Sequence, residues 1–370
     1  MKLSLAIATN NEESNIVDCI QSCKGLVDEI VVVDGSSTDK TAELARQNGA
    51  KVIIAPNEKM FHINKQKAIE ACSGEWILQL DADERVTPEL ASEIKNVLLM
   101  TDEEITSYQN NLKEKELFDR HQQLIQKNVF ANTSVSLRAE SKILSVNSAK
   151  QSQINNRIAT SSFDKLRTPR NDAESGNDTQ EKVFSFPSTS SGQAKLQVTS
   201  YKLQAKFNAF FIPRLNFFLG GYLRYGGVYP DGVIRLIRKG KAHLPCKSVH
   251  ELMEVEGKTG WLAHPLIHKD SPTFSRYLAR NSRYIDQLVG ELKTSCNLKL
   301  ETFNLPNQKL QATSYKFQTA IDWLIIKPIS TFFSLLIRHK GILDGWRGVV
   351  FAFFSAIRFA RAYGRYTMRG

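Results

Sequence analysis

Two aspartates, Asp81 and Asp83, close an apolar run, Trp76-Ile77-Leu78-Gln79-Leu80, and their spacing is the first sign of chemistry in the chain. Such a run has the look of a buried strand. On an extended strand end, residues two apart share a face, so both carboxylates can reach one hard divalent cation. Mg2+ and Mn2+ favour oxygen ligands, and Mg2+ takes one or two carboxylates together with substrate phosphates. The same residues also suit a solvated acidic turn, because Thr87-Pro88-Glu89 follow as a helix N-cap with proline at the first helical position. The stretches upstream weigh toward the metal.

Those stretches alternate strands with helices. Leu3 to Ala8, Glu29 to Val33, Val52 to Ala55 and Trp76 to Leu80 read as strands; Glu13 to Cys23, Thr41 to Gln47 and Ile63 to Ala71 read as helices. That alternation implies right-handed crossovers and a parallel sheet, in which ligands bind at the carboxyl ends of the strands. Three polar clusters fall at those ends: Thr9-Asn10-Asn11-Glu12, Asp34 to Asp39, and Asp81 to Glu84. No glycine fingerprint of a dinucleotide site or P-loop follows any strand. Acidic groups stand where such glycines would be.

At 370 residues the chain has ample material for a core, with a mean hydropathy of -0.30. Lys and Arg number 49 against 38 Asp and Glu, a net charge of +11. A basic excess fits nucleic acid, anionic lipid or a phosphorylated substrate, and its placement decides. Over half of it sits in the last 50 residues, where eight Lys/Arg face two Asp. There it is interleaved with aromatic, amphipathic runs rather than a nucleic-acid motif, which argues against a nucleic-acid partner. No signal peptide is visible, and the five cysteines have no metal-type spacing. They read as reduced thiols of a cytoplasmic protein.

The segments Ala8-Thr9-Asn10-Asn11-Glu12, Val31-Val32-Val33-Asp34-Gly35-Ser36-Ser37-Thr38-Asp39 and Leu80-Asp81-Ala82-Asp83-Glu84 resemble the family 2 inverting glycosyltransferases. Pro213-Arg214-Leu215-Asn216, Gly226-Gly227-Val228-Tyr229-Pro230-Asp231, Arg235-Leu236-Ile237-Arg238, Val249-His250-Glu251 and Leu266-Ile267-His268 follow in the order of the lipopolysaccharide-core β-1,4-glucosyltransferase subgroup. Gly35 departs from the second aspartate that many family members carry there. The resemblance implies an α/β GT-A fold, Rossmann-like, with a mostly parallel sheet flanked by helices. It implies a hexosyltransferase of bacterial cell-envelope biosynthesis, moving a sugar from a nucleotide-diphosphate donor to a glycan or lipid-linked acceptor with inversion. Asp81 and Asp83 would hold Mg2+ or Mn2+ against the pyrophosphate, and Thr9, Glu12, Asp34 and Asp39 would bind the base and ribose. Inversion in one displacement needs a general base on the acceptor side. Glu251 is the first candidate, because His250-Glu251 follows a strand-like stretch there, and Asp231 is the second. His268 reads as an ordinary structural histidine. A non-catalytic sugar-nucleotide-binding protein and a nucleotidyltransferase are the competing classes. Intact Asp81 and Asp83 argue against the first, and Asn10-Asn11-Glu12-Glu13 in place of a basic glycine loop against the second.

The remaining organisation is read from composition. Residues 1–127 form the nucleotide-sugar half, with charged helical sequence after Glu89, and 207–293 the acceptor-side half. Between them, 128–206 is a low-complexity insertion: 31 of the 70 residues from Ala131 to Ser200 are Ser, Thr, Asn or Gln, too few apolar groups to offset ordering entropy. Lys195 to Gln204 recurs at Lys309 to Gln318 with eight of ten residues identical, and 294–319 is read as a second inserted segment looped out of the fold. Arg280 and Arg283 fit either a solvated helix face or contact with a diphosphate or anionic acceptor. Residues 320–370 are read as basic amphipathic helices on an anionic membrane surface. Their apolar runs fall short of a bilayer span, with Phe351, Phe354 and Ile357 facing lipid and Arg358, Arg361 and Arg365 snorkelling to headgroups. This places the protein in the cytoplasm, peripheral on the inner face of the cytoplasmic membrane.

Overall fold

The computed structural model describes residues 1–58, 60–125, 206–246, 252–301 and 309–368. The insertion expected at 128–206 lies, but for Lys206, outside the described residues, and so does Glu251. Strands β1 (Leu3–Thr9), β2 (Glu29–Asp34), β3 (Lys51–Ile54) and β4 (Trp76–Asp81) alternate with helices α1 (Ile16–Ser22), α2 (Thr41–Gln47) and α3 (Phe61–Ala71). β5 (Glu84–Arg85) leads into α4 (Pro88–Leu99), α5 (Asp102–Asn110) and α6 over 115–125. The Thr87 hydroxyl accepts a hydrogen bond from the Leu90 amide, so the cap that the sequence suggests starts α4.

Beyond 206 come β6 (Phe207–Ile212), β7 (Arg214–Phe218), β8 (Gly221–Leu223), β9 (Val233–Arg238), β10 (Ala242–His243), β11 (Glu254–Val255), β12 (Lys258–Trp261) and β13 (Leu266–Ser271). The main sheet has seven strands in the order β12-β6-β9-β4-β1-β2-β3. β1 pairs in parallel with β2 and β4, and β2 with β3; β9 runs antiparallel to both β4 and β6. This is the α/β, mostly parallel GT-A arrangement. The pleat divides the core: Leu3, Leu5 and Ile7 pack on one face with Leu90 and Ile94 of α4, while Ala6 faces Ala68 and Ile69 of α3 on the other.

Register is what assembles the site. Thr9 lies opposite Asp34, and Ala8 opposite Asp81, so the polar tips of β1, β2 and β4 end level. A second sheet, β5-β13-β7-β8, puts His268 opposite both Glu84 and Asn216.

The C-terminal helices depart from the expectation for 294–370. Helix α7 (Phe274–Glu301) crosses into the segment read as an insertion, and the second repeat copy starts α8 (Lys309–Ile321) rather than looping out. Its Tyr315 packs beside Ile285, Val289, Leu292 and Trp323. α9 (Lys327–Phe333) continues the same helical run, so Ser314–Arg338 is one helix of 25 residues, long and apolar enough by length and composition to cross a membrane, with only 6% of its most apolar stretch buried. Lys327 and Pro328 interrupt this apolar run in the sequence, which makes it read as too short to span, but proline at the first turn of α9 leaves the helix continuous. Helix α10 (Trp346–Met368) turns Phe351 and Phe354 inward, onto Phe218 and Tyr277. Arg365 is engaged by Asp286 at 2.8 Å rather than free to snorkel.

Candidate active site

A cavity of about 1000 Å³ opens at the carboxyl ends of β1 and β4. Thr9, Glu12, Asp81 and Asp83 line it from the first half of the chain; Arg214, His268 and Arg276 line it from the second. Asp34 and Asp39, expected to bind the nucleoside, are not among its lining residues. The Asp34 carboxylate is buried and accepts hydrogen bonds from the Thr9 hydroxyl (2.9 Å), the Ser37 hydroxyl (2.6 Å) and the Ser37 amide (2.9 Å). Asp39 accepts from the Glu13 amide and from Thr41. Together with a bond from the Thr38 amide to the Asn11 side chain, these tie the tip of β1 to the loop after β2. Glu12, half-buried, takes a bond from Asn15, and burial pushes its carboxyl above the ordinary value.

The two aspartates that open the chemical argument part company. Asp81 uses both oxygens on cations: Lys65 Nζ at 2.6 Å and Arg235 Nη2 at 2.7 Å. Burial alone would raise its pKa, but Arg235 and Lys65 hold it well below the usual range. Arg235 is itself buried, and the same nitrogen reaches Glu84 at 2.7 Å. Glu84 in turn accepts the Asp81 amide and faces Arg214 at 3.5 Å. A buried carboxylate such as Glu84 persists only with partners of this kind.

Asp83 is left facing the cavity. Two side-chain nitrogens, His268 Nε2 and Arg276 Nη2, both stand 3.6 Å from it. Burial pushes its pKa up, but His268, when its Nε2 carries a proton, and Arg276 bring it below the ordinary value. The other ring nitrogen of His268, Nδ1, lies 2.6 Å from Asn216 Oδ1, while Asn216 Nδ2 donates to Asp231 Oδ2 at 3.1 Å. Because the Asn216 amide must turn its N–H toward Asp231, its oxygen accepts from Nδ1–H. In the neutral ring, Nε2 then presents a lone pair toward Asp83.

Asp231 lies across Asn216 from His268. Arg214 meets its Oδ2 at 2.9 Å, and Arg214 and Asn216 hold its carboxyl below the ordinary value against the effect of burial. Its other oxygen has no described hydrogen bond and the side chain is 35% exposed.

A divalent cation fits this setting in one way. Among the described residues no three His, Cys, Asp or Glu side chains converge as a complete ligand set. Asp83 and the Nε2 of neutral His268 do converge, and Mg2+ or Mn2+ commonly completes its shell with substrate phosphates and water.

Residues 4–155 match the Glycosyl transferase family 2 model. An uncharacterized glycosyltransferase of Rickettsia felis is 42% identical over 97 residues, which cover 26% of this chain and 34% of that protein. The lipopolysaccharide core biosynthesis glycosyltransferase LpsC of Rhizobium meliloti is 34% identical over 108 residues, 28% of this chain and 39% of that protein. The chain thus spans about a third of the length of the curated relatives it matches. Among solved structures, glucosyl-3-phosphoglycerate synthase from Mycobacterium tuberculosis, in complex with Mn2+, UDP and glucosyl-3-phosphoglycerate, is 30% identical over 22% of this chain and 34% of that one, with a TM-score of 0.21. The match and the relatives support a family 2 glycosyltransferase domain in the first part of the chain.

The sequence passed over three contributors. His268 and Arg235 gain meaning only through partners far along the chain, since Arg235 meets Asp81 across 154 positions. A local signal existed for Arg235: an arginine at an inward position of a strand, Val233-Ile234-Arg235-Leu236, needs a buried carboxylate. Lys65, on α3, carried no such signal.

Proposed function

We propose that the protein is an inverting glycosyltransferase that takes a hexose from a nucleotide-diphosphate donor bound in the large cavity and passes it to a glycan or lipid-linked acceptor. The observation that carries this is the placement of Asp83, a carboxylate left free of close ion pairs at the strand ends, beside His268 and a row of cations from Arg214 to Arg276. Thr9 and Glu12 line the side where the nucleoside would lie, Asp34 holds the Thr9 hydroxyl, and Asp39 ties the loop after β2 to the Glu13 amide, within reach of a base and ribose. Asp83 and His268 would hold Mg2+ or Mn2+, and Asp81, neutralised by Lys65 and Arg235, would position the turn that carries Asp83. A cation held there would offset negative charge on the departing diphosphate, and Arg276 lines the same cavity.

In the transfer, the acceptor oxygen forms its bond to the anomeric carbon as that carbon's bond to the diphosphate oxygen breaks. The electron pair leaves with the nucleotide, and the acceptor proton passes to a carboxylate. Asp231, with one oxygen free, is the described candidate; Glu251 is the other and lies outside the described residues.

Membrane association completes the proposal. Leu324, Ile325, Ile329, Phe333 and Ile337 are exposed along one helix, with Leu343 and Trp346 beyond it. An apolar surface of this extent is characteristic of membrane or partner contact. It fits a peripheral position on an anionic membrane face, in cell-envelope glycan synthesis.

The decisive test is a thermal-shift screen of nucleoside-diphosphate sugars with Mn2+, repeated on Asp83→Asn. One or more donors should stabilise the wild type, and Asp83→Asn should lose the Mn2+-dependent part of the shift and the transfer. No stabilisation by any donor would overturn the proposal.

A further inference from the structure

A second cavity, of roughly 280 Å³, lies beside the first and shares Arg280 and Tyr284 with it. Its floor holds Asp231 and Asn216, its apolar wall includes Leu223, Tyr277 and Phe351, and its roof is α10. Two properties of that roof matter. Phe351, Ser355 and Arg358 share the inner face of α10, at helical spacing, while Trp346, Val349 and Phe353 on other faces are 57%, 39% and 49% exposed. The helix that closes the cavity therefore also contributes to the exposed apolar surface.

Arg358 is the second property. It lies over the Tyr284 ring at 5.6 Å and bonds the Ser355 carbonyl at 3.3 Å, but among the described residues no carboxylate pairs with it. Arg280, across the same Tyr284 ring at 5.5 Å, is held by Asp270. A guanidinium partly withdrawn from water gains from an anionic partner. Burial pulls the Arg358 pKa down, which an anion beside it would reverse.

We propose that this smaller cavity is the acceptor subsite and that it takes a phosphate-bearing saccharide, with Arg358 holding the phosphate and the reacting hydroxyl turned toward Asp231. The inference rests on the larger cavity being the donor site. A polar floor of Asp231 and Asn216 suits sugar hydroxyls, and the tyrosine and phenylalanine wall suits the apolar faces of a sugar ring or the first part of a lipid chain. The phosphate could belong to the sugar or to its lipid carrier, since Arg358 recognises the same group in both.

The test is calorimetric titration of the full-length protein, with UDP and Mn2+ present to fill the larger cavity, using glucose, glucose 6-phosphate and monomeric dihexanoylphosphatidic acid. At least one phosphate compound should bind more tightly than glucose. Arg358→Gln should weaken that binding by about tenfold or more, the loss expected for one charged hydrogen bond, and Arg358→Lys should recover part of it. Arg361→Gln, an exposed neighbour on the same helix, should have no effect. Preference for glucose 6-phosphate would place the phosphate on the sugar; preference for the lipid would place it on the carrier. Glucose binding as tightly as both phosphates, or equal phosphate binding by wild type and Arg358→Gln, would overturn the proposal. Titration of UDP with Mn2+ alone reports separately on the donor site, which Arg358→Gln should leave intact.

Discussion

Asn216 and His268 are register partners in adjacent parallel strands, and the 2.6 Å hydrogen bond between their side chains determines which imidazole nitrogen faces Asp83. Asn216 is in turn oriented by Asp231. One amide therefore links Asp83, through His268, to Asp231. The link is geometric: it fixes a ring, a tautomer and a carboxylate without contributing a charge.

A direct consequence concerns the metal. Asn216→Ala frees the His268 ring and removes the acceptor for Nδ1–H, so Mn2+ affinity in the presence of nucleotide should fall about 10–100-fold, the usual effect of losing a ligand's orienting partner. His268→Ala should cost at least as much. Paramagnetic titration of bound Mn2+ reads both variants. Unchanged affinity in both would remove His268 from the metal proposal.

The acid limb of the pH profile distinguishes the two candidate bases. Burial raises the Asp231 pKa, but Arg214 and Asn216 bring it below the ordinary aspartate value of about 3.9. A base must be ionised to accept a proton, so kcat/KM should fall only as pH drops below that value. Arg214→Gln should move the limb upward, and Asp231→Asn should lower turnover by about 10²–10⁴-fold while donor binding survives. A Glu251→Gln protein without activity, beside a working Asp231→Asn, would give the role to Glu251.

How far the sequence revealed this arrangement depended on the range of the interaction. β1 to β4 and their polar tips were legible because each rests on local alternation and on turn residues, and register then aligned Thr9 with Asp34 without further information. The fates of Asp81 and Asp83 were not legible. Their spacing puts them near each other, but Arg235 and Lys65 claim one and leave the other, and both cations come from elements that spacing cannot place. The C-terminal helices show the same limit. An amphipathic face looks alike whether it meets lipid or protein, so Phe351 and Phe354, read as lipid-facing, instead cover Phe218 and Tyr277. Most of the Ser314–Arg338 helix is left exposed, and so are Leu343, Trp346 and Phe353 beyond it.

Glu29, remote from the cavity, gives a stability test. Its carboxylate accepts bonds from the Ser4 hydroxyl (2.5 Å), the Ser73 amide (2.7 Å) and the Ser73 hydroxyl (2.9 Å), which against the effect of burial bring its pKa down to about 2. A folded-state pKa below the unfolded value means stability that is present above about pH 4.3 and is lost as pH falls toward 2. Glu29→Gln should therefore cost on the order of 1–2 kcal/mol at neutral pH, allowing for its partial exposure. The gap to wild type should close between about pH 5 and pH 2. Urea denaturation at pH 7 and pH 3 measures it, and a gap independent of pH would show that the carboxylate bonds contribute no linked stability.

The membrane proposal needs a variant that leaves the fold alone. Cutting the chain after Arg338 would remove α10 from Phe218 and Tyr277 and so confound detachment with unfolding. Ile325, Ile329 and Phe333 avoid this, being 51%, 53% and 52% exposed on a helix with little buried surface. Replacing all three with serine should leave Tm within a few degrees, because little packing is lost. Flotation with vesicles containing anionic lipid should fall by about tenfold or more, since each large apolar side chain contributes roughly 1.5–3 kcal/mol when fully buried and only part of that in an interface. Raising salt should weaken the wild type only in part, because screening acts on Lys327, Arg338 and Lys340 but not on apolar burial. Equal flotation of wild type and triple variant would assign the exposed helix to a protein partner instead.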